Sequence, residues 1–349
     1  MVRLQAIMDR AAAHDLSLSR LSLICRLREL IFCNNSLREK ILDTLPDHVF
    51  DRQAVCSHKD RAAEALPSFD FLLREAAERL ADRLLDIRKD FPLALELTTH
   101  RRVLRDAIRL GSPPGTAESC SSINVLLHAQ MAPAMLVGAG PLQLVADEEY
   151  LPIENSCLDL IVSSCGLHWA NDLPGVLIQS RQALKPDGLL LVNFFGGNTL
   201  TELRRSLLQA EMEVEGGAGP RVSPFADIRD AGALLQRANF ALPVADTETI
   251  TVSYDSPLKL FRDLRGMGET NAVIGRRKSF SRRHTLMRAC EIYVSDHADE
   301  TGRVPATFEL ITLTGWAPAK NQPKSAPRGS GQVPLIQVFG ASDDPPKPE

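Results

Sequence analysis

Residues 158–195 read LDLIVSSCGLHWANDLPGVLIQSRQALKPDGLLLVNFF. Two apolar runs, Leu158 to Ser163 and Leu189 to Phe195, bracket a helical stretch from Leu173 to Leu184. The turn Lys185-Pro186-Asp187-Gly188 ends that helix, since proline fixes φ and glycine tolerates a positive φ. Strand, helix and strand make a βαβ unit. Runs of Val, Ile and Leu without polar alternation belong to parallel strands whose two faces are both covered by helices.

The same alternation extends upstream. Apolar runs at Leu93 to Leu97, Ile123 to Leu127 and Leu142 to Ala146 are separated by other stretches, one of which, Val103 to Leu110, is helix-like. From Phe71 to Lys89, Leu72, Ala76, Leu80 and Leu84 recur every four residues beside charged neighbours, after the capping residues Ser68-Phe69-Asp70. Downstream, an amphipathic helix from Thr199 to Glu215 runs into the breaker cluster Gly216-Gly217-Ala218-Gly219-Pro220. Ile250 to Tyr254 and Thr307 to Thr314 alternate as antiparallel edge strands do. The expectation is an α/β, doubly wound, mostly parallel sheet that finishes with a reversed strand or hairpin.

With 349 residues, 44% of them hydrophobic, the chain can bury a full core. A formal net charge of -4 with interspersed signs offers no cationic field for nucleic acid. Seven cysteines without a C-x-x-C pair point to a reducing compartment rather than a disulfide framework, zinc or iron–sulfur. The triplets His58-Lys59-Asp60 and His297-Ala298-Asp299 lack a second histidine in reach along the sequence, so no metal is expected. No stretch approaches the roughly 18 apolar residues of a membrane span, so the expectation is a chain without a spanning helix, with peripheral attachment left open. Residues 1–46 carry six arginines, as mitochondrial presequences do, but also Asp9, Asp15, Glu29, Glu39 and Asp43. The reading is an N-terminal extension (1–46), a main domain (47–320) and a disordered tail (321–349) in a cytoplasmic protein, with the mitochondrial matrix as the alternative.

Ligands of doubly wound sheets bind beyond the carboxyl ends of the strands. Four such ends stand out: Glu96 with the turn Thr98-Thr99-His100-Arg101-Arg102, Gln130, Asp147 with Glu148 and Glu149, and Ser163 to Trp169. Glu96 and Asp147 can accept hydrogen bonds from ribose or adenine; Asp147 reads equally well as a turn acid. His168-Trp169 reads more readily as packed structure than as catalyst.

Taken together, ADEEYLP (146–152), LDLIVSSCGLHWANDLPGVL (158–177), LKPDGLLLVNFFGGNTLTELR (184–204) and RDLRGMGETNA (262–272) resemble the class I S-adenosylmethionine-dependent methyltransferase family. Within it they are most similar to the branch of complex I assembly arginine hydroxylases and their bacterial relatives; a sister branch methylates a carrier-bound acyl carboxyl group in biotin synthesis. The resemblance runs from about Phe50 to Trp316. It implies a seven-stranded Rossmann-like sheet with a helical lid from insertions at about 199–225 and 255–300. It also implies an S-adenosylmethionine site at Glu96, Gln130, Asp147, Glu148 and His168, and catalytic candidates His168, Trp169, Glu202, Glu269 and Asn271.

Where the family carries a glycine-rich turn, this chain has Thr98, His100 and Arg102, and Gln130 replaces the ribose acid. A side chain at a glycine position costs on the order of 1–3 kcal/mol and occupies ligand volume. Gly196-Gly197-Asn198-Thr199-Leu200 is expected to present a helix N-terminus to an anion. Glu211, Glu215, Glu269 and Asn271 suggest an acidic rim for an arginine-bearing protein substrate, such as a complex I subunit. Three functions remain open: modification of a protein partner with S-adenosylmethionine bound, a non-catalytic assembly factor with a degenerate site, and carboxyl O-methylation of a carrier-bound acyl chain.

Overall fold

Strands β1 (Phe91–Leu97), β2 (Ile123–Gln130), β3 (Gln143–Val145), β4 (Leu158–Ser164), β5 (Leu184–Phe195), β6 (Ala241–Tyr254) and β7 (Val304–Trp316) form one sheet. Their order is β3-β2-β1-β4-β5-β7-β6. Strands β1 to β5 are mutually parallel; β7 runs antiparallel to β5, and β6 antiparallel to β7. The computed structural model describes residues 48–110 and 123–322. The expected extension (1–46), and the tail (321–349) beyond residue 322, lie outside the described residues.

The missing polar alternation has its cause in the layers. On β4 and β5, Leu160, Val162, Leu189 and Leu191 face α2 (Phe71–Leu85) and α3 (Val103–Leu110) through Ala77, Leu80, Leu84, Leu104 and Ala107. The intervening Ile161, Leu190 and Val192 face α4 (Leu173–Ala183) and α6 (Ile228–Arg237) through Val176, Leu177, Ala231 and Leu235. Both faces are buried, so both must be apolar. A third cluster joins α1 (Arg52–Ala62), α5 (Thr201–Glu215), α7 (Pro257–Met267) and α8 (Arg283–His297) to Phe195 and Phe308 of the sheet, and this is the lid.

Three local expectations change. Lys185 to Gly188 lies within β5: Leu184 already pairs with Leu158, and the register then shifts, with Asp187 at φ 63°. The proline and glycine make a bulge rather than a separate turn. Strand β7 extends beyond 307–314 and is interior, because the longer β6 takes the edge. Helix α2 stops at Leu85 rather than Lys89, although Ile87 beyond its end still packs against the same core cluster.

Candidate functional site

The turn after β1 carries none of the expected glycines, and of positions 98, 100 and 102 only Thr98 takes a left-handed φ. Thr98 sits at φ 58° and Arg101 at φ 56°, in the left-handed region that disfavours a side chain. Thr98 Oγ1 donates to Leu97 O (2.6 Å) and lies 2.6 Å from Ser163 Oγ. Its bulk is accommodated by Gly166, where an added Cβ would fall 1.9 Å from Thr98 Oγ1. His100 is buried, and burial first, with Lys59 second, pushes its ring down to about 3, so it is neutral near neutral pH. Arg101 reaches back to the end of α1, donating from Nη1 to Ala63 O at 2.9 Å; the exposed Arg102 pairs with Asp106.

The strand-end acids are engaged within the chain. Glu96 Oε2 lies 2.6 Å from His128 Nδ1, its register partner on β2, and both are buried. Asp147 and Glu148 hold Arg52 of α1, at 2.8 and 2.6 Å from Nη2, while Arg52 Nη1 donates to Trp169 O at 2.8 Å. Burial works against this guanidinium's charge, but Glu148, Asp147 and Glu149 outweigh it and hold its pKa above the usual range. Gln130 donates from Nε2 to Thr99 O (3.0 Å) and accepts from Met131 N (2.7 Å), so its amide staples two loops together.

Beyond β4, the side chains of His168 and Trp169 converge on one carboxylate. His168 Nε2 lies 2.8 Å from Glu269 Oε2, and Trp169 Nε1 donates to the same oxygen at 2.9 Å. The other oxygen, Oε1, is buried without a hydrogen-bond partner. Burial alone would raise the Glu269 carboxyl; the adjacent His168, then Lys59 and His100, hold it below its ordinary value. Lys59 is itself fully buried, and burial lowers its ammonium against the pull of Glu269 and Glu148.

The sequence reading missed Arg52, Lys59 and Asn193. Asn193 is the one polar residue in LLLVNFF: its Oδ1 accepts from Ser164 Oγ and Cys165 N, and its Nδ2 donates to Ala76 O. A lone amide in an apolar strand was its signal. For Arg52 and Lys59 the signal was fainter, since only a fold brings α1 to the strand ends.

The remaining candidates have structural partners. Glu202 accepts from Thr307 Oγ1 and N, and Asn271 bridges Pro220 O (2.6 Å) and Val273 N (3.0 Å). Ahead of α5, an anion is already present: Asn198 donates from N and Nδ2 to the Glu309 carboxylate at 3.0 and 2.9 Å. A Cβ on Gly196 would fall 2.5 Å from Glu309 Oε2, so this glycine lets the carboxylate in. Glu211 and Glu215 bind Arg221 and Arg277. Of the expected acidic rim, only Glu269 retains an unpartnered oxygen among these contacts.

Glu269 lines a cavity of about 670 Å³ between the lid and the strand ends. Its walls are Phe69, Phe195, Leu203, Leu207, Phe225, Phe261 and Phe308, and Arg61, Arg262 and Arg265 also line it from exposed positions. Such a volume, mostly apolar with a few polar groups, is that of a ligand pocket.

A doubly wound sheet of this order, with a reversed strand inserted next to its edge and a helical lid over the strand ends, defines a class I methyltransferase fold. Residues 121–192 match the family model described as a methyltransferase domain. The arginine-hydroxylase NDUFAF5, mitochondrial, of Danio rerio is 39% identical over 295 residues, covering 83% of this chain and 89% of that protein. The Homo sapiens protein of the same name is 39% identical over 288 residues, covering 82% of each. A malonyl-(acyl-carrier protein) O-methyltransferase of Laribacter hongkongensis is 32% identical, covering 77% of this chain and 90% of that one. The chain belongs to the class I S-adenosylmethionine-dependent methyltransferase family, in the branch of these arginine hydroxylases.

Proposed function

We propose that this chain serves respiratory complex I assembly by holding an arginine side chain of a protein partner in the lid cavity, on Glu269. The observation that carries this reading is the buried, anionic Glu269 carboxylate, one oxygen fixed by His168 and Trp169 and the other without a hydrogen-bond partner, on a residue that lines a mostly apolar cavity. A buried carboxylate with a spare acceptor needs a charged donor, and a guanidinium supplies one while its flat faces pack on aromatic walls.

The cationic mouth does not reverse this preference. Two charges 4 Å apart interact by about 1 kcal/mol in water and about 4 kcal/mol at the effective dielectric of a protein site. Arg61, Arg262 and Arg265 are exposed and screened, and Arg221, which also lines the cavity, is paired with Glu211, whereas Glu269 is buried. The names of the relatives supply the arginine, and their mitochondrial designation favours the matrix over the cytoplasm for this chain. Among the described residues no helix is long and apolar enough to cross a membrane, and the reading needs none. Modification with S-adenosylmethionine bound, and methylation of a carrier-bound acyl chain, both need strand-end groups that already have partners.

The test is binding of a short alanine peptide with one central arginine to the purified chain and to Glu269→Gln, beside complementation of a deletion strain. Loss of one charge-assisted bond should weaken peptide binding roughly 10- to 100-fold. Complex I should fail to assemble in the same strain. Unchanged peptide affinity together with full assembly in Glu269→Gln would sink the reading.

A further inference from the structure

We infer that this chain has replaced the cofactor of its family with its own side chains, and that Arg52 straps the lid to the sheet where the adenosine would otherwise join them. The residues at three parts of the cleft do not fit S-adenosylmethionine, and each part shows its own substitute. On the adenosine side, ribose hydroxyls and an adenine amino group would donate hydrogen bonds to carboxylates. Arg52 does so instead, with Nη2 at 2.8 Å from Asp147 and 2.6 Å from Glu148. Its side chain is 8% exposed, so displacing it strands a charge away from water.

In the turn, Thr98 fills the volume a glycine would leave open, and the chain has answered with Gly166 on the facing loop. The carbonyl of Thr99 and the acceptor of Gln130 are consumed by the staple between them and Met131 N. Ahead of α5, the Glu309 carboxylate takes the backbone donor of Asn198. Donor replaces donor and anion replaces anion. Separate cleft positions with complementary substitutes are the pattern of a site rebuilt without its ligand.

The strap has a mechanical consequence. Helix α1 is tied near its start by Arg52 and beyond its end, at Ala63 O, by Arg101. A lid that closes through a bound ligand depends on ligand concentration. A lid tied through its own arginines does not. The lid cavity is therefore formed permanently, ready for a partner, and this conclusion does not depend on which partner enters.

The experiment is calorimetric titration of the full chain with S-adenosylhomocysteine to about 1 mM, with thermal melts of wild type and Arg52→Ala with and without that ligand. No saturable heat is expected, and no ligand-dependent shift in Tm for either protein. Arg52→Ala should melt roughly 5–10 °C lower, because it removes the buried countercharge of Asp147 and Glu148. Saturable heat with a Kd below about 100 μM in wild type would overturn the inference, whether or not the variant folds. A ligand-dependent rise in the Tm of wild type or variant, or an Arg52→Ala that melts like wild type, would overturn it too.

Discussion

The strand-end cleft and the lid cavity lie side by side and share Trp169, yet their carboxylates are satisfied in opposite ways. In the cleft, Glu96, Asp147, Glu148 and Gln130 each meet a partner from the same chain. In the cavity, Glu269 Oε1, Ser223 Oγ and Arg221 Nη2 are buried without hydrogen-bond partners, against mostly apolar walls. An unsatisfied buried polar group costs about 1–3 kcal/mol and more when charged, so such groups persist where something else supplies the bond. Carboxylates paired within the chain stabilise the fold, whereas a carboxylate with an open oxygen is where a cationic ligand is recognised; the cleft keeps open only neutral or donor atoms, Thr99 Oγ1, His100 Nε2 and Arg52 Nε.

The sharpest way to break this comparison is Gly166→Ala. Its Cβ would meet Thr98 within about 2 Å, which cannot be relieved by a flexible side-chain end, so a loss of about 3 kcal/mol is expected in denaturant melts. Adding Thr98→Gly should restore most of that loss and also relieve the positive φ at 98. Additive losses in the double variant would mean that the two positions are not a compensating pair. Next in size, Asn193→Ala should cost about 2–3 kcal/mol, because Ala76 O and Ser164 Oγ lose their partner inside the core. Stability within experimental error of wild type would remove Asn193 from the cleft's framework.

Acid sharpens the contrast further. The folded His100 ring is held at about 3 against an ordinary 6.5, so the unfolded chain takes up a proton first as pH falls. Its stabilising contribution is complete above about pH 6.5 and is lost progressively toward pH 3, by about 1.4 kcal/mol per pH unit at most. His100→Gln should flatten the stability profile between about pH 6 and 4; an unaltered slope there would count against the buried neutral ring. Glu269 follows in a lower window: its carboxyl is depressed from 4.5, so its contribution holds above that value and is lost as pH falls through the folded pKa.

Smallest is the effect of the mouth. Arg262→Ala and Arg265→Ala should change stability by no more than about 0.5 kcal/mol. Wild type should bind the arginine peptide up to a few-fold more tightly as salt rises, through screening of like charges, and the double variant, with Arg61 still at the mouth, should show a weaker dependence. A steep loss of peptide affinity with salt in wild type would place the anchoring contact at the exposed surface instead of at Glu269.

The βαβ unit at 158–195, the alternation of elements and the reversed end of the sheet were legible because apolar periodicity follows directly from burial on one face or two. The missing glycines were legible only through the family resemblance, and of the three positions 98, 100 and 102 Thr98 alone adopts a positive φ, with Arg101 as the second such residue of the turn. The acidic rim was not: Glu211 and Glu215 are acids in the sequence, but Arg221, across the loop that follows the helix, and Arg277, distant along the chain, neutralise them. Nor did the sequence disclose that Gly196 shelters Glu309, 113 positions later, instead of an external anion. Local patterning determined which residues are buried and which elements they build, because propensity and hydrophobic period act over a few neighbours. Which buried charge meets which was decided only by the tertiary structure, because an ion pair depends on distance in space, and α1 reaches the strand ends only once the sheet has formed.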